Sequence, residues 1–172
     1  IEEYIRSAAG ITNQLLGFAR EGKYDVRPID LNELLASSAA MFGRTKKEIR
    51  IHTKLQSPPP VVEADQRQIE QVLLNLFVNA WQAMPEGGEL YLETRAVSLD
   101  DDFCEPYEAA PGRYAKIVVV DTGTGMDNSV RQRIFDPFFT TKEKGRGTGL
   151  GLASAYGIVK SHAGIITVHS QV

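Results

Sequence analysis

The chain has 172 residues, 42% of them hydrophobic and 24% charged, which is enough for one hydrophobic core with a short appendage but not for two full domains. Its formal net charge of −3 argues against a general nucleic-acid or membrane-surface binder, because the chain lacks the basic field that would hold the phosphates of nucleic acids or lipids. A single cysteine and the lack of an apolar run near the roughly 20 residues that span a bilayer favour a reducing, cytoplasmic setting, with a membrane anchor left open for the parent protein.

The first predicted element is a helix with a narrow apolar seam. Such a seam is typical of a helix that pairs with another helix, although a helix packed on its own domain is the alternative. Because the pattern begins at the first residue, which is not methionine, we expect residues 1–26 to be the end of a dimerisation hairpin and its linker. The seam residues recur at spacings of four and three: Ile1, Ile5, Ala8, Thr12, Leu15 and Ala19.

The next elements are predicted to be a helix, a strand and a long helix. Asp30 or Asn32 can cap the first of these helices, which runs to about Phe42, and alternation predicts a strand over residues 49–55. Asp65 can cap the long helix, which proline and glycine end after residue 84. Its apolar residues form one wide face, comprising Ile69, Val72, Leu73, Leu76, Phe77 and Ala80.

The second half of the chain alternates strands and helices. Strands are predicted over residues 90–97 and 114–120, with an acidic insertion, residues 99–112, expected as an exposed loop between them. A short helix near residues 128–135, a helix over residues 149–162 and a strand over residues 165–169 follow. The chain therefore mixes both kinds of element in one domain, residues 27–172.

Two asparagines on the long helix are candidates for a binding role. Asn75 and Asn79 are four residues apart, so both amides lie on one helical face beside a stripe that is otherwise apolar. They are either helix-surface amides or ligands of a magnesium triphosphate, since an amide oxygen can bind Mg²⁺ without adding charge near the phosphates.

Asp121 follows four apolar strand residues and precedes a glycine turn. A carboxylate at the end of a buried strand is costly unless a donor pairs with it, and the amino group of adenine is such a donor. The alternative is a turn in which Asp121 bonds Gly123. Gly123 and Gly125 permit positive φ and a close approach of the backbone to a flat ring.

The stretch over residues 136–148 is basic, contains glycines and is poor in apolar residues, which is typical of a mobile lid. Its cations are either phosphate contacts or a solvated charge run, and nearby aromatics are either anchors of the lid or ordinary core residues. The cations are Lys142, Lys144 and Arg146, and the aromatics are Phe135, Phe138 and Phe139.

Three glycines at alternate positions precede the last predicted helix, so that its free backbone N–H groups and positive end face whatever anion lies there. Phosphate is the natural occupant. A P-loop is excluded because no Gly-Lys-Ser or Gly-Lys-Thr sequence follows the glycines, and because they lie in a loop after the lid and not after a strand. The glycines are Gly147, Gly149 and Gly151.

Four motifs stand in chain order: Asn75-x-x-x-Asn79, Asp121-Thr-Gly-Thr-Gly-Met126, Phe135-Asp-Pro-Phe-Phe139 and Gly145-Arg-Gly-Thr-Gly-Leu-Gly151. Together they resemble the N, G1, F and G2 boxes of the sensor histidine-kinase ATPase domain, in the superfamily shared with gyrase B, heat-shock chaperones and mismatch-repair ATPases. The resemblance runs from about residue 31 to the end of the chain.

This resemblance implies an α+β Bergerat-type fold, an α/β sandwich whose mixed, mostly antiparallel sheet is covered on one face by helices. It implies a protein-histidine kinase that binds ATP and Mg²⁺, with the metal on Asn79 and the phosphates beside Asn75. Hydrolytic relatives have a glutamate at position 75, so asparagine there favours transfer over hydrolysis. The remaining implied ATP contacts are Asp121, Gly123, Gly125, Met126, Phe135, Lys142, Lys144, Arg146, Gly147, Thr148, Gly149, Leu150 and Gly151.

The resemblance also places the phosphoacceptor histidine outside this chain, because in the family an acidic residue directly follows it. His52, His162 and His169 are followed by threonine, alanine and serine, and we interpret them as structural. The fragment is therefore expected to bind ATP without phosphorylating itself. Its implied partners are the histidine-bearing hairpin of a homodimeric parent and a response regulator, with no nucleic acid.

Three alternative functions remain at this point: a nucleotide-sensing module without catalysis, a hydrolytic ATPase, and a dinucleotide-dependent oxidoreductase that uses the glycine turn after Asp121. The last lacks a third glycine and a following long helix. The family continues into a further glycine-rich turn and strand, so we also expect a sheet truncated at its C-terminal strand.

Overall fold

A computed structural model describes residues 25–142 and 147–172 of the chain. The predicted hairpin helix therefore lies outside the described residues, as do Lys144 and Arg146. In chain order the elements are β1 (Val26–Asp30), α1 (Leu31–Thr45), β2 (Ile49–Lys54), β3 (Val61–Asp65), α2 (Gln66–Ala83), β4 (Gly88–Leu99), α3 (Asp101–Cys104), a 3-10 turn (Glu105–Tyr107), β5 (Gly112–Asp121), α4 (Asn128–Arg131) and α5 (Gly151–Ser161).

Two aspartates begin the two long helices. The Asp30 carboxylate accepts hydrogen bonds from two backbone N–H groups in the first turn of α1, and Asp65 does the same for α2. Each side chain satisfies donors that have no partner inside the helix. Asp30 is therefore the cap of α1, while Asn32 instead donates to the Gln56 carbonyl at 2.8 Å.

The strands form two sheets. In the larger one, β4 is central, pairs with β2 in parallel and pairs with β5 in antiparallel fashion. Leu90, Leu92 and Thr94 of β4 are almost completely buried, whereas the alternating Tyr91 and Arg95 are exposed. One face of this sheet therefore packs on the helices and the other faces solvent, as expected from a period of two.

The core lies between the buried face of this sheet and helices α1 and α2. Phe77 of α2 and Leu35 of α1 are 1% and 0% exposed, and Phe77 packs on Phe42 with ring centroids 5.5 Å apart. Because α2 turns its apolar stripe toward this core, the face that carries Asn75 and Asn79 is left at the margin of the sheet layer. The α+β fold expected from the resemblance is confirmed, with the helices on one face of a mixed sheet.

The smaller sheet was not predicted from the sequence. Strands β1 and β3 are antiparallel, with Val26 opposite Asp65 and Asp30 opposite Val61. Proline and exposed valines interrupt their alternation, so the periodicity of these five-residue segments is weak. Their pairing brings the start of the domain to the N-terminal end of α2.

Two sequence-based expectations are wrong in this part of the chain. The acidic insertion is not a plain loop, because it contains α3 and a 3-10 turn, and its Cys104 is only 1% exposed. The Lys160 ammonium of α5 donates to the Tyr107 carbonyl at 2.6 Å, which ties the insertion to α5. The short helix after the glycine turn ends at Arg131, and turns follow it.

The predicted strand over residues 165–169 is absent from the described part of the chain, where residues 164–172 have no strand assignment. This segment is instead held by the glycine turn, since the Met126 N–H donates to Ser170 Oγ at 2.9 Å. Within residues 25–142 and 147–172, no helix has the length and apolar content that crossing a bilayer requires.

Candidate nucleotide-binding site

The two asparagines of α2 lie against the first residue of α5. A Cβ atom built on Gly151 would be 3.6 Å from Asn79 Nδ2 and 3.8 Å from Asn75 Oδ1. Helices α2 and α5 thus meet where α2 presents two amides and α5 presents its N-terminus. Two motifs that are 70 residues apart in the sequence therefore share one small region.

The side-chain amide of Asn79 is oriented by a hydrogen bond to the backbone of Asn75. Asn79 Nδ2 donates to the backbone carbonyl of Asn75 at 2.7 Å, which turns the side-chain oxygen of Asn79 away from the helix backbone. Asn75 Nδ2 is buried and has no hydrogen-bond partner among the residues that the structure describes. A buried donor without a partner is destabilising, so its position suits an anionic acceptor that binds there.

Within the described residues, the N-terminus of α5 has no side-chain cap. Leu150, which precedes the helix, gives no side-chain cap, and its own N–H is 3.4 Å from Thr148 Oγ1. The first-turn N–H groups of a helix attract anions, especially where a glycine leaves room beside them. The helix starts at Gly151, two residues later than expected, so Gly149 belongs to the preceding turn.

Gly149 is required by that turn. Its φ is +65°, and a Cβ built on it would lie 2.3 Å from the Phe138 carbonyl carbon. The Phe138 N–H donates to the Gly149 carbonyl at 3.0 Å, which ties the phenylalanine motif to the glycine motif. Only glycine fits both the positive φ and this close approach.

Asp121 ends β5 as expected, but it is exposed and not buried. Its Oδ1 accepts a hydrogen bond from the Gly123 N–H at 2.9 Å, which is the turn weighed as the alternative. The expectation of a buried carboxylate is therefore wrong, because β5 is an edge strand among the described residues. The turn still fixes the carboxylate beside the C-terminal end of α2.

The glycine turn packs tightly on its surroundings. The Thr124 N–H donates to the Ala83 carbonyl at 3.0 Å, and a Cβ on Gly123 would lie 2.6 Å from Ala83 Cβ. Gly125 has a φ of +70° and contacts the Gln171 carbonyl so closely that no Cβ would fit. Gly125 therefore supplies the positive φ, whereas the role of Gly123 is close approach.

The three aromatic residues of the phenylalanine motif have different surroundings. Phe135 packs on Tyr156 of α5 with ring centroids 5.3 Å apart, and the Arg133 guanidinium lies 4.3 Å from the Phe139 ring centroid. Phe138 is 65% exposed with a φ of +67°, so the expectation that it anchors the lid is wrong. Its backbone, and not its side chain, makes the contact with Gly149.

Lys142 contacts α2 beside the asparagines. Its ammonium donates to Gln82 Oε1, three residues after Asn79, and burial lowers the pKa of the ammonium. The described end of the basic stretch therefore reaches the same helix that carries the two amides. Gly147, at the other side of the stretch, lies close to Thr140 and Lys142.

Sequence reasoning missed three residues that support this region. Thr122 Oγ1 accepts from the Glu89 N–H at 3.0 Å, Ser170 Oγ accepts from Met126, and Gln82 pairs with Lys142. The spacing of Gln82 from Asn75 and Asn79, seven and three residues, is the one signal that would have placed it on their face.

The protein oxygens of this region suit Mg²⁺ only if phosphate oxygens bind the ion as well. Among the described residues, no group of three or more His, Cys, Asp or Glu side chains is arranged to hold a metal ion. Asn79 has a side-chain oxygen turned away from its own helix, and Mg²⁺ commonly takes one or two protein oxygens together with those of a substrate. Asn79 is therefore the described residue that would hold the ion.

An α+β fold with helices on one face of a sheet, an amide pair at a helix N-terminus and a carboxylate beside a glycine turn define a nucleotide-binding domain. Residues 64–172 match the family described as histidine kinase-, DNA gyrase B-, and HSP90-like ATPase. The chain belongs to this family, and it is similar to the ATP-binding catalytic domains of sensor histidine kinases.

Similar proteins support this assignment. The chain is 41% identical over its whole length to the sensor kinase CckA of Brucella abortus and 32% identical, over 96% of its length, to the histidine-protein kinase AtoS of Escherichia coli. It spans 18% and 25% of those two proteins. The catalytic domain of histidine kinase ThkA matches with a TM-score of 0.63 and 28% identity, covering 80% of this chain and 82% of that one. Full-length ShkA in complex with AMPPNP matches with a TM-score of 0.69 and 30% identity, covering 88% and 30%.

Proposed function

We propose that this domain transfers the γ-phosphoryl group of Mg-ATP to a histidine outside residues 27–172. The observation that carries the proposal is the contact of Asn75 and Asn79 with the N-terminus of α5: within the described residues, the Asn75 amide has a buried donor without a partner and the helix has no side-chain cap. Phosphoryl transfer needs positioning and charge neutralisation more than covalent help from the protein, and these groups supply both.

Each part of the nucleotide has a proposed contact. Asn79 holds the magnesium ion, which neutralises phosphate charge, while Asn75 Nδ2 and the first N–H groups of α5 bind phosphate oxygens. Lys142 donates a hydrogen bond to Gln82, three residues after Asn79, and so adds a positive charge at the same end of α2. Lys144, Arg146 and Thr148, which lie in or beside the basic stretch, are proposed to extend this cover over the phosphates.

Asp121 is proposed to bind the amino group of adenine. Its carboxylate is fixed by the Gly123 N–H at one oxygen, and the tight packing of the glycine turn on Ala83 keeps it in place. Gly125 and Met126 are proposed to line the adenine site, and both contact residues 170–171. A charge-assisted hydrogen bond of about 1.5–3 kcal/mol is enough to select adenine among bases.

Transfer is favoured over hydrolysis because the residue beside the phosphates is Asn75, whose amide cannot accept a proton from water. The proposed acceptor lies on a helical hairpin, of which residues 1–26 would supply the end of the second helix and the linker, in a homodimeric, cytoplasmic kinase module. ThkA has been crystallised in complex with the response regulator protein TrrA. We propose that a response regulator likewise receives the phosphoryl group from the parent of this chain.

The decisive experiment supplies the acceptor separately. The chain is incubated with radiolabelled Mg-ATP and a hairpin that carries the acceptor histidine of the parent protein, and acid-labile phosphate on the hairpin is measured. We expect labelling of the hairpin, no labelling of this chain and almost no steady phosphate release. Steady phosphate release without the hairpin would instead indicate a hydrolase, and binding of ATP without any labelling would indicate a nucleotide sensor.

The metal role has its own test. Asn79→Ala removes the proposed magnesium ligand, so the increase in ATP affinity that Mg²⁺ produces in the wild type should be lost. Calorimetric titration with ATP, with and without Mg²⁺, measures this difference. Unchanged Mg-ATP binding in the variant would show that Asn79 does not hold the metal.

A further inference from the structure

Helices α2 and α5 are connected at the ends that lie away from the proposed phosphate site. The backbone N–H of Asp65, the cap of α2, donates to Nε2 of His162, the residue that follows α5, at 3.1 Å. Midway along the pair, Gln71 Nε2 donates to Ser154 Oγ at 3.4 Å. The helices are therefore antiparallel, and polar contacts set how far one can slide along the other.

The distances along the two helices match. Ten residues separate Asp65 from Asn75, and eleven separate Gly151 from His162. At a rise of about 1.5 Å per residue, these are lengths of roughly 15 and 16.5 Å. Because helices are stiff along their axes, the contact at His162 fixes where Gly151 lies against Asn75.

Both ring nitrogens of His162 lie within hydrogen-bond distance of backbone groups. Its Nδ1 is 2.8 Å from the Ile158 carbonyl of its own helix, which can only accept, while Nε2 faces the Asp65 N–H, which can only donate. The neutral tautomer with hydrogen on Nδ1 satisfies both contacts. The ring is thus fixed to α5 and presents one acceptor to α2.

We propose that His162 is a positioning residue for the phosphate part of the nucleotide site. By accepting from Asp65, it sets the axial register of α5 on α2, and so the distance between the N-terminus of α5 and the asparagines. Asp121 lies on β5, outside the helix pair, so adenine recognition does not depend on this contact. The inference rests on the proposed nucleotide site and assigns a role that the sequence motifs do not cover.

The test compares two substitutions at one position with a control. His162→Phe keeps an aromatic ring and removes the hydrogen bonds to Asp65 and Ile158, whereas His162→Gln keeps an acceptor within reach of the Asp65 N–H. His52→Ala is the control, because His52 stacks on Tyr91 at the exposed face of the sheet, with ring centroids 4.7 Å apart. Dissociation constants for Mg-ATP and for adenosine are measured by titration calorimetry and by NMR.

For His162→Phe we expect Mg-ATP binding to weaken about tenfold, which corresponds to roughly one lost hydrogen bond, while adenosine binding stays within about twofold. His162→Gln should bring Mg-ATP binding back to within about threefold of the wild type. The control should bind both ligands as the wild type does.

Other outcomes overturn the inference. Wild-type Mg-ATP affinity in a folded His162→Phe variant, or equal weakening for ATP and adenosine, would contradict a positioning role. If the wild type itself fails to bind Mg-ATP, the proposed function fails first, and the inference fails with it.

A second measurement needs no variant and decides the question if His162→Phe does not fold. By linkage, a ligand that favours the registered helix pair must strengthen the distant hydrogen bond. Mg-ATP should therefore slow hydrogen exchange at the Asp65 amide of the wild type several-fold, whereas adenosine should not. An unchanged Asp65 exchange rate in saturating Mg-ATP would overturn the proposal.

Discussion

Replacing Gly151 by alanine should change stability and ATP binding in opposite directions. The new methyl group would be 3.6 Å from Asn79 Nδ2 and 3.8 Å from Asn75 Oδ1, which are ordinary van der Waals distances. Gly151 lies in α5 and has no positive φ, so alanine fits its backbone. Removing the flexibility of glycine from the unfolded chain should therefore stabilise the fold by about 0.5 kcal/mol.

The same methyl group occupies the space where a phosphate oxygen is proposed to bind. A phosphate oxygen that accepts from the first N–H groups of α5, at about 2.9 Å, would have to lie beside this methyl group. The phosphate must then move away from the N–H groups of α5 or the helix must shift. Losing one or two charge-assisted hydrogen bonds of about 1.5–3 kcal/mol each would weaken binding at least tenfold.

Urea unfolding and calorimetric titration with Mg-ATP measure the two effects. Gly43→Ala is the matched control, since it makes the same change within α1, where the new methyl group would meet only Ile51 Cδ1 at 3.3 Å. The control should leave ATP affinity unchanged. If Gly151→Ala were as stable as expected and bound Mg-ATP like the wild type, the phosphates could not lie between α5 and the asparagines.

Three further predictions concern single residues. Asp121→Asn keeps the acceptor for the Gly123 N–H but removes the charge, so calorimetry should show at least tenfold weaker ATP binding with little change in stability. Gly149→Ala forces a side chain into a positive φ against the Phe138 backbone and should reduce the free energy of unfolding by about 1–3 kcal/mol in urea titrations. Burial raises the pKa of the Cys104 thiol and shields it from reagents, so a disulfide reagent at about pH 8 should modify it far more slowly in the folded protein than in urea.

Much of the fold could be predicted because its main elements carry strong local signals. Helix α2 combines a capping aspartate, a wide apolar face and a proline-glycine end, and the structure starts it at the predicted cap and ends it one residue before the predicted end. Strands β4 and β5 were predicted at slightly shorter lengths for the same reason. These signals act within about ten to twenty residues, the scale on which periodicity is informative.

The errors concern contacts between distant segments. Strands β1 and β3 are stabilised by each other, across 30 residues or more, and neither has a clear alternation of its own. Residues 165–169 have the alternation of a strand but form none among the described residues, because a strand also needs a neighbour with free backbone groups. The exposure of Asp121 depends on β5 being at a sheet edge, which its own sequence does not reveal.

Several motifs of the candidate site lie close together in space although the local signal of each is weak, and the geometry of α2 explains why. Its last turns contact two of the other three motifs and the basic stretch: Asn79 lies against Gly151, the Ala83 carbonyl accepts from the glycine turn, and Gln82 pairs with Lys142. Each motif taken alone fits an ordinary capping, turn or loop role. Because one helix end contacts the glycine turn and the glycine motif, and the phenylalanine motif is bonded to the latter through Gly149, their joint occurrence in a fixed order reports a spatial arrangement that periodicity cannot detect. The same geometry makes the position of α5 on α2 the variable on which phosphate binding most depends.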